Sequence, residues 1–131
     1  MERERFQTVF SPRLLMLVLW CAVIFAFSHR PGSGIPFDPP LWYVLERKGA
    51  HVFEYAVLAL LAWRYFVTIF RRESVTRVLM LTAAFALSYG MLDELHQFFI
   101  FGRGARFTDI LVDGLGILFA LSLIALFRVR R

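Results

Sequence analysis

The lengths of the apolar runs constrain this chain most. Three stretches, from about Lys48 to Phe70, about Val75 to Phe99 and about Asp109 to Phe127, come close to the ~20 residues a helix needs to cross a bilayer. A shorter run, LLMLVLWCAVIFAF, spans Leu14 to Phe27. Within hydrocarbon every backbone donor and acceptor must be satisfied inside the segment, so runs of this length read as helices. Short polar breaks separate them. Arg71-Arg72-Glu73-Ser74 divides the second run from the third, with Ser74 a plausible N-cap, and Gly102-Arg103-Gly104 divides the third from the fourth, with Thr108 as N-cap. The expected fold is an all-α integral membrane protein. It would be a bundle of four transmembrane helices with short loops, at about 13–28, 48–70, 75–99 and 109–127, in a single domain spanning 1–131.

Composition supports lipid as the solvent. Hydrophobic residues make up 59% of the chain and fifteen residues are Phe, more apolar surface than a soluble fold of this size can bury. The formal charge of +5, with one Lys and no clustered basic recognition helix, fits basic ends near anionic headgroups and gives no reason to expect a nucleic-acid partner. Cys21 is the single cysteine, so no internal disulfide or thiolate cluster is expected, and a buried inert thiol is.

The first run is short for a membrane span, and Ala26-Phe27-Ser28 resembles a small-x-small cleavage site. Retention is expected nonetheless, because Pro12 can open a helix and Arg13 and His29 can snorkel at its ends. The stretch PGSGIPFDPP, from Pro31 to Pro40, cannot be a regular helix, and Leu41-Trp42-Tyr43 after it has the character of an interface.

Orientation follows from the basic residues. Ten of the fifteen Lys and Arg fall in the N-terminus, the middle loop and the tail, which predicts both termini on the cytoplasmic side. The other ends of the helices then face outward. They carry His51, Glu54 and Tyr55 on the second helix, Asp93, Glu94, His96 and Gln97 on the third, and Asp109 and Asp113 on the fourth, with Arg103 and Arg106 in the loop above.

His51 with Tyr55, Asp93 with Gln97, and Asp109 with Asp113 are each four residues apart and share a helix face. Ionisable groups at membrane depth are costly unless paired, and by default they mark a functional site. His51 with Glu94 or Asp93 suits acid/base work, which makes His51, Glu94 and Asp109 the catalytic candidates. Lys48, Tyr55, Gln97, Arg103 and Arg106 are the substrate-binding candidates, since a guanidinium offers a fork to phosphate. Asp93, Glu94, Asp109 and Asp113 offer oxygen ligands for a hard divalent cation. Glu46, Arg47 and Lys48 sit at the boundary and read foremost as boundary charges, and Glu54 as a structural partner of Arg47 or Lys48. Trp20 and Tyr89 read as lipid contacts or packing, and Gly114 and Gly116 as points of close helix approach. The chain contains no nucleophile elbow and no HExxH zinc pattern.

RKGAHVFEYAVLALL followed by LSYGMLDELHQFFIFGRGARFTDILVDGLGILFAL resembles the VanZ-like membrane-protein family. The correspondence runs through Lys48, His51 and Tyr55, then Asp93, Glu94 and Gln97, then Arg103, Asp109, Gly114 and Gly116, and FSHRPG at Phe27 to Gly32 resembles the end of the family's first helix. Asp113 stands where the family usually has Asn. The family is named for a member associated with teicoplanin resistance. The resemblance implies a multi-pass protein of the bacterial inner (cytoplasmic) membrane with a cell-envelope role. The partners expected are membrane lipids; a lipid-linked envelope precursor and a homo-oligomer remain open. A membrane-embedded hydrolase or transferase acting on a phosphorylated lipid, and a non-catalytic structural or partner-binding subunit, both remain open.

Overall fold

The computed structural model describes residues 11–31, 40–103 and 106–129. Arg3, Arg5, the centre of the Pro31–Pro40 stretch, Gly104, Arg130 and Arg131 lie outside the described residues. Among the described residues the elements are four helices: α1 (Pro12–Ser28), α2 (Leu41–Ile69), α3 (Val75–Phe98) and α4 (Phe107–Val129). Three of them, α2, α3 and α4, are long and apolar enough to cross a membrane. At 17 residues α1 is shorter. The exterior is the reverse of a soluble fold, with Met80, Leu118, Phe119 and Leu126 among many exposed large apolar side chains. This is a helical membrane protein.

Local chemistry sets the helix ends. Pro12 occupies the first turn of α1, where its missing N–H costs nothing. The Ser74 side chain caps α3 by accepting from Arg77 N–H. Gly102 takes a φ of 72° in the turn after α3, a left-handed conformation that glycine adopts without penalty. Two boundaries differ from expectation. α2 starts at Leu41, directly after the extended Pro40. Glu46, Arg47 and Lys48 interrupt the apolarity there but are good helix formers, so the helix runs back to the proline. α4 starts at Phe107, so Thr108 lies inside it and donates to the Asp109 carboxylate at 3.4 Å.

At ~1.5 Å per residue α2 is about 43 Å long, against ~30 Å of hydrocarbon, and the excess accommodates the exposed Trp42 and Tyr43 outside it. Chain direction alternates, so α2 and α4 run parallel and both begin at one end of the bundle, called here the polar end. Small residues build the contacts: Ala59 and Ala62 of α2, Ala86 and Gly90 of α3, and Gly116 and Ala120 of α4 are buried. The tightest approach is at Gly116, where an added Cβ would run into the Val52 backbone, 3.0 Å from its carbonyl carbon. Gly114 differs from expectation, because a Cβ there would make an ordinary 3.8 Å contact with Leu87. Trp20 and Tyr89 prove to be tethers for α1. The Trp20 indole donates to the Glu54 carbonyl at 3.0 Å, and the Tyr89 hydroxyl donates to the Cys21 carbonyl at 2.6 Å. Cys21 itself is a free, half-buried thiol.

Candidate functional site

At the polar end the charged side chains separate into two groups. The first joins α1 to α3. Ser28 Oγ donates to Asp93 Oδ2 at 2.7 Å, and Gln97, one turn beyond Asp93, donates to the same oxygen at 2.9 Å. Arg103 reaches down from the loop to Gln97 Oε1 (3.3 Å) and to the Phe27 carbonyl that ends α1 (3.2 Å). Ser28, Asp93 and Gln97 are all buried. The group is a chain of satisfied hydrogen bonds, which is how buried polar atoms become tolerable.

The second group joins α2 to α4. Asp109, in the first turn of α4, takes Lys48 at 3.3 Å and Arg47 at 3.5 Å. A full turn deeper, His51 Nδ1 stands 3.0 Å from Asp113 Oδ1. These pairs exist because α2 and α4 run parallel and in register past Gly116, which matches Lys48 to Asp109 and His51 to Asp113. A cavity of about 50 Å³ opens among Tyr43, Arg47, Lys48, His51, Arg106 and Asp109. Glu94 joins α3 to this side, because its Oε2 accepts the Arg106 backbone N–H at 2.9 Å. That places a carboxylate from another helix at the start of α4, where the helix dipole favours negative charge.

The sequence-derived candidates therefore gather at one end, with altered partnerships. The acid/base pair expected between His51 and Glu94 or Asp93 is replaced by His51 with Asp113, because Asp93 is engaged by Ser28 and Gln97, and Glu94 by the turn before α4. Glu54 is not the partner of Arg47 or Lys48, which both turn to Asp109. Arg103 fastens the loop to α1 and α3, while Arg106 lines the cavity. Burial, and then the nearby charge of Arg47, lowers the proton affinity of the Arg103 guanidinium. The four carboxylates expected to bind a cation are drawn to separate partners. Among the described residues no group of three or more His, Cys, Asp or Glu is placed to hold a metal ion.

Three buried oxygens at this end have no hydrogen-bond partner among the described residues: Tyr55 Oη, Glu94 Oε1 and Asp113 Oδ2. Tyr55 is fully buried, and its ring lies with Asp113 Oδ2 around Gly90, where a Cβ would be 3.2 Å from the ring and 3.4 Å from the oxygen. Sequence reasoning noted Ser28 within FSHRPG but gave it no place in the site, because its role depends on an acceptor 65 residues away. It also missed a surface pair of imidazoles, His29 and His96, with nitrogens 3.1 Å apart beside the Phe25 ring. No spacing rule would have found that pair.

An Asp–His pair of this kind fixes the imidazole tautomer, with Nδ1–H toward the carboxylate. His51 is then able to exchange a proton at its other nitrogen, and it lines a cavity rimmed by three cationic side chains, Arg47, Lys48 and Arg106. The arrangement suits an anionic group with a transferable proton.

No curated protein and no solved structure matches the chain. The profile of one family, described as VanZ/LLP1, matches residues 13–128. That interval holds every candidate residue above, from Ser28 on α1 to Asp113 on α4, and all of the four helices but Pro12 and Val129. On that match, the chain belongs to the VanZ/LLP1 family.

Proposed function

We propose that this protein works in the bacterial cell envelope, in the cytoplasmic membrane with both termini inside, and that its polar end receives the phosphorylated headgroup of a lipid or lipid-linked precursor from the outer side. One observation carries the reading: the cavity that joins Arg47, Lys48 and Arg106 to a His51 backed by buried Asp113. At about 50 Å³ it holds a few water-sized groups. A headgroup would rest on the arginines at the mouth and direct one oxygen or one attacking water toward His51. His51 is the acid/base candidate, Asp113 orients it, and Lys48 and Asp109 position the rim. Family membership makes glycopeptide sensitivity the first phenotype to screen.

Complementation of a deletion strain tests this reading. His51→Gln and Arg106→Gln should lose rescue of the envelope or drug-sensitivity phenotype while the protein accumulates normally in the membrane. Full rescue by both would overturn it. Turnover of lipid phosphates by the purified chain, abolished in His51→Gln, would make the protein an enzyme.

A second reading, a non-catalytic structural or partner-binding subunit, draws on the Ser28–Asp93–Gln97–Arg103 chain, whose bonds all serve packing. It predicts that charge-neutralising variants lose abundance instead of rescue per molecule.

A further inference from the structure

The opposite end of the bundle holds a second feature, independent of the polar site. Between the parallel helices α2 and α4 runs a groove of about 650 Å³, from Phe53 to Arg64 on one wall and from Phe119 to Arg128 on the other. Its floor and walls are apolar, with Leu60, Trp63 and Leu123 among them, and no acidic residue lines it. The arginines stand together at the far end. From Phe53 to Arg64 is about 16 Å at ~1.5 Å per residue, close to half of the ~30 Å hydrocarbon layer. The groove is therefore as long as one leaflet is deep, with cations at its outer limit.

Arg64 also lines an adjoining crevice of about 420 Å³ between the start of α1 and the end of α2, which contains Arg13, Arg71 and Thr68. Arg71 donates to the Thr68 carbonyl, and Arg128 sits 5.7 Å over the Trp63 ring. Among the described residues none of Arg13, Arg64, Arg71 and Arg128 has a carboxylate partner, and the acid in the loop at this end, Glu73, is paired with Arg77. An apolar channel of one leaflet's length that ends in guanidinium groups with no carboxylate partner among the described residues is complementary to one molecule class: a phospholipid with an anionic headgroup.

We propose that this groove is a binding site for an anionic phospholipid of the leaflet at the α2 C-terminal end, with an acyl chain between α2 and α4 and the phosphate against Arg64 and Arg128. The polar-end reading does not depend on this site, nor the site on that reading. The test is native mass spectrometry of the full chain released from nanodiscs containing equal phosphatidylglycerol and phosphatidylcholine. The wild type should retain phosphatidylglycerol preferentially. Arg64→Gln should reduce that preference roughly fivefold, the scale of one cation near a lipid surface, and Arg64→Gln with Arg128→Gln should abolish it. Arg72, exposed in the loop at the same end and part of neither cavity, is the control, and Arg72→Gln should leave retention unchanged. Equal retention of both lipids, or an equal loss in Arg72→Gln, would overturn the proposal. So would a cross-link between Leu60→Cys and Leu123→Cys of separate copies, because the groove would then be a protein interface.

Discussion

The two ends of this bundle handle charge in opposite ways. At the polar end Asp93, Asp109 and Asp113 each meet a donor or cation from another helix, and Glu94 accepts from the turn before α4. At the other end Arg13, Arg64, Arg71 and Arg128 meet no carboxylate among the described residues. Depth explains the difference. A carboxylate buried between helices cannot stay charged without partners, whereas a guanidinium at a helix end reaches water and headgroups on its own stem. Charges at the polar end thus tie the helices to one another around a small cavity, while at the far end Arg71 bonds a backbone carbonyl and Arg128 lies over the Trp63 ring.

Substitutions that break this contrast should fall into a definite order. Gly116→Ala has the largest expected effect, because the new methyl group meets the Val52 backbone, which cannot rotate away. It should cost about 3 kcal/mol or more by forcing α2 and α4 apart, and would break Lys48–Asp109 and His51–Asp113 together. Reversible unfolding in mixed micelles measures the loss, and Gly114→Ala, with its ordinary 3.8 Å contact, should change little.

Next comes Asp93→Ala, which removes the shared acceptor of Ser28 and Gln97 and leaves these two buried groups only the long 3.4 Å bond between them and the Arg103 contact, at a cost of about 1–3 kcal/mol. The same unfolding measurement checks it. A value indistinguishable from wild type would mean that the α1–α3 bonds do not fasten the bundle. Asp113→Asn should be milder for the fold, within about 1 kcal/mol, since an amide oxygen can still accept from His51. Rescue in the complementation assay should nevertheless drop, because a neutral amide does not stabilise a protonated imidazole. Equal abundance with reduced rescue is the expected signature. The smallest effect on stability belongs to Arg64→Gln with Arg128→Gln, within about 0.5 kcal/mol. A loss comparable to that of Asp93→Ala would erase the distinction between the ends.

Much of this architecture is legible in the residues. Ser74 was readable as a cap because capping is a matter of a few neighbouring residues, and Pro12 for the same reason. Leu41 was missed as a helix start because hydropathy falls across Glu46 to Lys48 although helical propensity does not. Thr108 was misread because the turn before α4 is held by Glu94 from another helix, information absent from the local pattern.

The sequence by itself determined the helices, their membrane length, and the gathering of His51, Tyr55, Asp93, Glu94, Gln97, Asp109 and Asp113 at one end. Those follow from hydropathy, a 1.5 Å rise and alternating chain direction, all short-range properties. The tertiary structure decided who meets whom. His51 could have faced Asp93, Glu94 or Asp113, and the choice across 62 residues depended on how far α2 and α4 rotate and how closely they cross. Gly116 sets that approach, because its missing side chain lets the Val52 backbone come against α4.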